Sequence, residues 1–144
     1  MINLKAIAKF KKMGGKWDGS EWIAPKLAKK EFDEIKKEFY EDLIVVEIKS
    51  NIDEYLPGDM WGELHVRVIG GYLIAKVWGR DSGARISDDV AVIKGNFTSG
   101  GSIKNYVCQH EDEMIIRLEV SRNALKYLDE EVAQNRYTYK IISE

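Results

Sequence analysis

Apolar residues recur every three or four positions in the first part of the chain, a spacing that predicts two amphipathic helices. The apolar stripe of the first contains Ala6, Ile7, Phe10 and Met13, and that of the second contains Phe32, Ile35 and Phe39. Asn3 is placed to cap the first helix, and Gly14-Gly15 to end it in a left-handed turn. Pro25 suits the first turn of the second helix, where a missing N–H is tolerated.

Two tryptophans flank a turn between these predicted helices. In the segment Lys16-Trp17-Asp18-Gly19-Ser20-Glu21-Trp22-Ile23, the central Asp-Gly is a dipeptide that supplies the positive φ angles of a tight hairpin. We therefore predict a small helix–hairpin–helix module in residues 1–41, with Trp17 and Trp22 packed on the helices.

The remaining residues have the apolar and β-branched runs of strands. We predict strands at 43–48, 63–69, 72–78, 90–94, 106–109, 114–120 and 137–142, with a hairpin turn at Gly70-Gly71. Ser121 is placed to cap a helix through about Gln134 that ends at Asn135. The predicted fold is therefore α+β, in which the helix–hairpin–helix module is followed by a curved antiparallel sheet or small barrel with one C-terminal helix.

Charge divides the chain at the same place as the predicted elements. The formal net charge is −2, but residues 1–41 carry +3 and residues 42–144 carry −5. We predict two domains, a lysine-rich module over 1–41 and an acidic β-rich domain over 42–144. The lysines either form the solvated faces of two helices or create a surface that attracts anions.

Composition excludes several classes of protein. A chain of 144 residues with 44% hydrophobic residues and two prolines has enough apolar area for a core, which excludes global disorder. No apolar run approaches the roughly 18 residues of a membrane span, and the first residues do not have the pattern of a signal peptide. A single cysteine, Cys108, excludes an internal disulfide framework. These features predict a cytoplasmic protein with no membrane partner.

The first 41 residues resemble a short module found in phage, plasmid and primase-associated proteins. The resemblance rests on Gly14, Gly15, Lys16, Trp17, Trp22 and Pro25. The arrangement is also similar to the HARP-type accessory domain of annealing helicases, and the remaining residues resemble uncharacterised domains of phages and mobile elements. The resemblance implies contact with nucleic acid, for which Lys12 and Lys16 are our candidates. The alternative is that both tryptophans are core residues of a miniature fold.

Two segments of the β-rich part combine glycines and hydroxyl groups with a cation. This combination lets backbone N–H groups face an anion while Arg or Lys neutralises it. If strand 90–94 brings segments 79–85 and 98–105 to one end of a sheet, their polar side chains converge on one phosphate-bearing ligand. The predicted ligand-binding residues are Arg80, Asp81, Ser82, Arg85, Phe97, Ser99, Ser102, Lys104 and Asn105. The alternative is that Asp81 pairs with Arg85 within a turn and that 98–102 is only a connection.

Aromatic residues are numerous in this part of the chain, and some are candidates to stack on a base. They include Tyr55, Trp61, Tyr72, Trp78, Phe97, Tyr106, Tyr137 and Tyr139. Phe97 is the best candidate because a large apolar side chain is unexpected in a loop rich in glycine and hydroxyl groups.

Familiar catalytic and cofactor motifs fit poorly. Segment 95–100 has the spacing that opens a P-loop, but Gly101 stands where the lysine belongs and a strand follows. Cys108 and His110 are too few ligands to indicate zinc, and the acidic run 111–113 has the composition of a solvated turn. We predict no catalytic residues, no metal and no cofactor.

Three classes of function remain open. We favour a non-enzymatic protein of a phage or mobile element that binds a nucleotide or the phosphates of nucleic acid and counteracts host defence by sequestration or blocking. The first alternative is a protein–protein interaction or inhibitor module with an acidic surface, whose partner is a host protein. The second is a small enzyme acting on a phosphorylated nucleotide, with Asp81 as acid/base and Arg85 or Lys104 stabilising charge.

Overall fold

A computed structural model describes residues 1–50, 65–110 and 113–143 of the chain, of which 39% lie in strands and 28% in helices. The α-helices in this part are α1 (Leu4–Lys12), α2 (Lys29–Tyr40) and α3 (Leu125–Ala133). The strands are β1 (Lys16–Trp17), β2 (Trp22–Ile23), β3 (Leu43–Ser50), β4 (Val66–Ile69), β5 (Tyr72–Lys76), β6 (Arg85–Ile86), β7 (Ala91–Lys94), β8 (Thr98–Gly101), β9 (Tyr106–Gln109), β10 (Met114–Ser121) and β11 (Thr138–Ser143).

The strands form several small sheets instead of one large one. The largest has four antiparallel strands in the order β11-β3-β10-β7, and a second has three in the order β4-β5-β6. Strands β1 and β2 form one two-stranded sheet, and β8 and β9 form another.

The start of the chain is attached to the second sheet. The Asn3 side chain caps α1 by accepting from the backbone N–H groups of Lys5 and Ala6, at 3.0 and 3.1 Å. On either side of Asn3, the N–H of Leu4 donates to the carbonyl of Gly71 at 2.7 Å, and the N–H of Leu73 donates to the carbonyl of Ile2 at 3.0 Å. These bonds fix α1 against the first residues of β5.

One hydrophobic cluster unites the helices with the sheets. It contains Phe10, Phe32 and Phe39 from the first two helices and, among others, Val46, Ile74, Leu118 and Leu128 from the following elements. The buried Tyr72 connects three elements because its hydroxyl donates to the carbonyl of Phe39 at 2.6 Å and accepts from the N–H of Ser121 at 2.9 Å.

The predicted fold is wrong. The N-terminal residues do not form the predicted helix–hairpin–helix module, because α1 is short and its start is bonded to the β4–β5 turn and β5, and because β1 and β2 form only a minimal hairpin that pairs over two residues each. The predicted single curved sheet or small barrel is replaced by separate small sheets in a mostly β structure. Within the described residues, the only C-terminal helix is α3. Of the two tryptophans predicted to pack on the helices, Trp22 stacks on Phe10 of α1, whereas Trp17 is 55% exposed.

Several individual elements were nevertheless predicted correctly. The strand predicted at 106–109 has the observed bounds of β9, and Gly70 and Gly71 form the predicted turn with φ angles of +57° and +90°. The helix predicted after Ser121 begins as a 3₁₀ turn and continues as α3. The predictions missed β6 and β8, while Tyr55, Trp61 and the first residues of the strand predicted at 63–69 lie outside the described residues.

In the described ranges, none of the helices has the length and apolar character needed to cross a membrane.

Candidate functional site

The two segments predicted to bind an anion meet at one hydrogen bond. The N–H of Gly83 donates to the hydroxyl of Ser99 at 2.8 Å, which places segment 79–85 beside β8. Strand β7 does not bring them together, because it belongs to the four-stranded sheet, whereas Arg85 and Ser99 belong to two other sheets.

Most polar groups of segment 79–85 are used inside the segment itself. The hydroxyl of Ser82 accepts from the N–H groups of Trp78 and Gly79 at 3.1 and 3.2 Å, and it lies 2.8 Å from the carbonyl oxygen of Gly83. Asp81 forms an ion pair with Arg80 at 3.2 Å, not with Arg85. These contacts stabilise the turn and leave Arg85 outside its network.

Segment 98–105 is a hairpin and not an open loop. Residues Thr98–Gly101 form β8, and the hydroxyl of Ser102 accepts from the N–H of Asn105 at 3.0 Å to close the turn into β9. Lys104 and Asn105 are exposed at its tip. Phe97 does not accompany them, because it is only 7% exposed and packs edge-on against His110 in the core.

Arg85 faces a different cation across the second sheet. The antiparallel register of β5 and β6 pairs Lys76 directly with Arg85, and both side chains are exposed. Within the described ranges neither of them has an ion pair; Lys76 lies 5.9 Å from the ring centroid of Trp78. Like charges placed opposite each other on neighbouring strands destabilise a sheet, unless an anion lies between them.

Both cations line a groove of about 1140 Å³. Its lining comes from two groups of elements, which we call the helical wall (the first two residues, α1, the β1–β2 hairpin and α2) and the strand wall (β5, β6 and the residues that follow each of them). The lining includes three tryptophans, Trp17, Trp22 and Trp78, and four cations, Lys11, Lys36, Lys76 and Arg85. We take this tryptophan groove as the candidate functional site.

A bulge in β5 turns Lys76 and Trp78 toward the groove. Opposite Arg67 and Val68 of β4 stand Ala75 and Leu73 of β5, so Ile74 is one residue extra in its strand. An extra residue reverses which face the following side chains occupy. Ile74 and Ala75 are consequently both buried, while Lys76 and Trp78 are exposed on the face that lines the groove.

The tryptophans of the β1–β2 hairpin extend a series of rings that starts in the core. Ring centroids lie 4.7 Å apart for Phe32 and Phe10, 5.6 Å for Phe10 and Trp22, and 5.8 Å for Trp22 and Trp17. The series ends at Trp17, which is 55% exposed, as is Trp78 on the other wall. Large exposed indoles in a groove are typical of a binding surface.

Asp18 holds the turn of this hairpin. Its carboxylate accepts from the backbone N–H groups of Glu21 and Ser20, both at 2.8 Å. These hydrogen bonds lower the pKa of Asp18 below its usual value, although the group is exposed. Gly19 has a φ of +104°, but Asp18 does not have a positive φ, and four residues separate the paired Trp17 and Trp22. The connection is therefore longer than the tight Asp-Gly turn predicted from the sequence.

Acidic groups also line the groove. Glu21 lies on the hairpin, and Asp88 and Asp89 follow β6. The N-terminal ammonium group lies 3.7 Å from a carboxylate oxygen of Asp89. Lys12 and Lys16, predicted to contact nucleic acid, are exposed beside Lys11 and Trp17 in sequence but do not line the groove.

An ion cluster fixes the helix that forms one wall. Glu38 of α2 accepts from Lys9 of α1 at 2.9 Å and from the Tyr127 hydroxyl of α3, and Lys126 lies 3.3 Å away. Burial by itself raises the pKa of Glu38, but these hydrogen bonds outweigh burial and leave the pKa below its usual value. The cluster therefore holds α1 in place through an ionised carboxylate.

Sequence reasoning named Arg85 and missed its counterpart Lys76. It identified Trp78 only as one of many aromatic residues, and it counted Lys11 and Lys36 only as part of a lysine-rich region. Residues 72–78 do not alternate between apolar and polar positions as a half-buried strand does, but this pattern does not by itself show which face Lys76 occupies.

In the described part of the chain, no group of three or more His, Cys, Asp or Glu side chains is arranged to hold a metal ion. Comparison of this chain with protein families, with curated proteins and with solved structures gives no match.

Proposed function

We propose that this protein is a non-enzymatic binding protein, and that the tryptophan groove binds the phosphate and base of a nucleotide, either free or within a nucleic acid. The observation that carries the proposal is the direct opposition of Lys76 and Arg85 on neighbouring strands. A phosphate between the two side chains would neutralise a repulsion that no ion pair with another described residue compensates.

The surroundings of this cation pair support a nucleotide over a simple anion. Trp78 adjoins Lys76, and the exposed ring of Trp17 lies on the other wall of the same groove. An indole ring offers a base a stacking surface, and a guanidinium or ammonium group offers the adjoining phosphate a counter-charge.

Among the described lining residues, the one serine, Ser87, is not placed as a nucleophile. The hydroxyl of Ser87 donates to the carbonyl of Leu73 at 2.6 Å, so its proton is engaged in holding β5 to the segment after β6. A nucleophilic serine instead needs a neighbouring base that accepts this proton.

The resemblance of residues 1–41 extends the proposal to the biological setting. In a phage or mobile element, a protein that holds a signal nucleotide or covers a nucleic acid would counteract host defence by sequestration or blocking. The predicted residues Lys12 and Lys16 then contribute to the approach of the ligand, because they add positive charge beside the groove.

Titration of intrinsic tryptophan fluorescence tests the proposal. The ligands are nucleoside mono- and triphosphates and short single- and double-stranded oligonucleotides, all at one salt concentration. We expect quenching by at least one of them, and about tenfold weaker binding of that ligand by each of Lys76→Ala and Arg85→Ala. The matched control is Lys94→Ala, which removes an exposed strand lysine paired with Glu113. Absence of binding by all ligands, or unchanged binding by both variants, would refute the proposal.

A further inference from the structure

We propose that the ligand of the tryptophan groove is a single strand of nucleic acid, held with unpaired bases against Trp17 and Trp78 and with backbone phosphates at Lys76 and Arg85. This inference rests on the proposed function and narrows its ligand from any nucleotide to a short, unpaired strand.

The position of the aromatic rings supports unpaired bases. Trp17 belongs to the helical wall and Trp78 to the strand wall, and each is 55% exposed. Stacking on a ring requires an open base face, whereas the bases of a duplex are covered by their neighbours. Two separate platforms therefore suit two splayed bases of one strand.

Trp17 is a firmly supported platform. The rings of Trp22, Phe10 and Phe32 continue behind it with centroid separations of 5.8, 5.6 and 4.7 Å, and the last two are buried in the core. A base stacked on Trp17 would extend this series by one ring. A ring already fixed by packing loses little conformational freedom when a ligand stacks on it.

The cations are arranged for phosphates that enter the groove. Lys11 and Lys36 belong to the helical wall, and Lys76 and Arg85 to the strand wall. A duplex carries its phosphates on the outside and its bases within, so it cannot present a phosphate and an open base face together inside a groove. A single strand presents both in every nucleotide.

The volume of the groove and its acidic residues restrict the ligand further. A volume of about 1140 Å³ exceeds the roughly 300–1,000 Å³ typical of small-molecule pockets, which leaves room for more than one nucleotide. Glu21, Asp88 and Asp89 repel phosphates from the parts of the groove that they line. The phosphate backbone of the nucleic acid is therefore directed past the cations. The groove has room for a strand of a few nucleotides.

The experiment measures binding by fluorescence anisotropy of labelled oligonucleotides at constant salt. The probes are fluorescein-labelled dT3, dT6 and dT12 and the dT12·dA12 duplex, with unlabelled thymidine 5′-monophosphate as a competitor. We expect affinity to rise from the monophosphate to dT6 and then to level off. We also expect the duplex to bind at least tenfold more weakly than dT12.

Paired substitutions test the stacking. We expect Trp78→Leu to weaken dT6 binding about tenfold, whereas Trp78→Phe keeps a ring and loses much less. Trp17→Leu and Trp17→Phe repeat the test on the other wall, and thermal unfolding of each variant establishes that it is folded. Because Trp78 lies outside the ring series, its variants remain informative if a change at Trp17 disturbs the hairpin.

The outcomes separate this inference from the proposed function. Three results would overturn the single-strand inference: equal affinity for dT12 and the duplex, equal affinity for the monophosphate and dT6, or wild-type binding by both leucine variants. If Arg85→Ala still weakens binding, each of these results leaves the proposal of nucleotide binding in place. Failure of every probe, or binding unaffected by Arg85→Ala and Lys76→Ala, would overturn both.

Discussion

The side chain of Asn3 lies directly against the backbone of Gly71. Its amide nitrogen donates to the carbonyl of Gly70 at 3.3 Å, while its oxygen caps α1, so one buried side chain joins the first helix to the β4–β5 turn. A Cβ atom on Gly71 would stand 2.4 Å from this oxygen. Because α1 forms a wall of the groove, the contact connects the turn of the sheet to the shape of the candidate site.

Replacement of Gly71 by alanine tests this contact. The residue has a φ of +90°, which strains any L side chain, and the added methyl group also displaces Asn3. The control is Gly83→Ala, which has a similar φ of +75° but no atom within 4 Å of the added Cβ. We expect Gly71→Ala to lower the free energy of unfolding by about 1–3 kcal/mol more than the control does, as measured by urea denaturation. Equal losses would show that Asn3 does not constrain this turn.

The hydroxyl of Tyr72 supports a second connection through the core. It joins the end of α2 to the end of β10, and burial raises the pKa of Tyr72 to about 12. Tyr72→Phe leaves the buried N–H of Ser121 without this acceptor, so we expect a loss of about 1–3 kcal/mol in the free energy of unfolding.

Tyr139→Phe provides the comparison for Tyr72→Phe. The Tyr139 hydroxyl donates to Asp129 in an exposed position, where water replaces the lost partner. We expect a change within about 0.5 kcal/mol, measured by the same urea denaturation. Similar losses in the two variants would contradict a structural role for the buried hydroxyl.

The ion cluster at Glu38 predicts a dependence of stability on pH. The pKa of Glu38 in the folded protein lies below the usual 4.5, because hydrogen bonds from Tyr127, Lys9 and Lys126 outweigh burial. Its contribution to stability is therefore present above about pH 4.5 and is lost as the pH falls through the lowered folded-state pKa. We expect Glu38→Gln to flatten the acid side of the stability–pH curve, measured by urea denaturation between pH 6 and pH 2.5.

The control for the pH experiment is a substitution on the same helix. Glu34 is exposed on α2, and we expect Glu34→Gln to retain the acid dependence of the wild type. A curve for Glu38→Gln with the wild-type slope would contradict the assigned role of the cluster.

Local signals in the sequence predicted single elements better than their assembly. The Asn3 cap and the paired glycines at 70 and 71 act within a few residues, and both appear as expected. Segment 98–101, Thr-Ser-Gly-Gly, has little intrinsic preference for a strand and becomes β8 through its pairing with β9. The division into small sheets likewise depends on pairings between distant residues, which composition and periodicity do not specify.

The candidate site likewise depends on strand pairings that the sequence does not specify. Glycines and cations near Arg85 pointed to an anion, and the open question of whether Asp81 pairs with Arg85 is answered by the ion pair of Asp81 with Arg80. The opposition of Arg85 and Lys76 requires the register of β5 and β6, and the exposure of Lys76 requires the bulge at Ile74. A bulge has no distinctive composition here, so a sequence alone does not reveal which face the following residues occupy.

Salt dependence distinguishes phosphate contact from base stacking in the groove. If Lys76 and Arg85 neutralise phosphates, a plot of the logarithm of the dT6 association constant against the logarithm of salt concentration has a negative slope of about 0.7 per phosphate contacted. Removing one contact by Arg85→Ala reduces the size of this slope by about 0.7 to 1. Trp78→Leu lowers affinity at every salt concentration without changing the slope, because stacking releases no counterions. Anisotropy titrations of dT6 at four or more salt concentrations provide the slopes, with Lys94→Ala as the control that should match the wild type. An unchanged slope in Arg85→Ala would show that its guanidinium does not meet a phosphate.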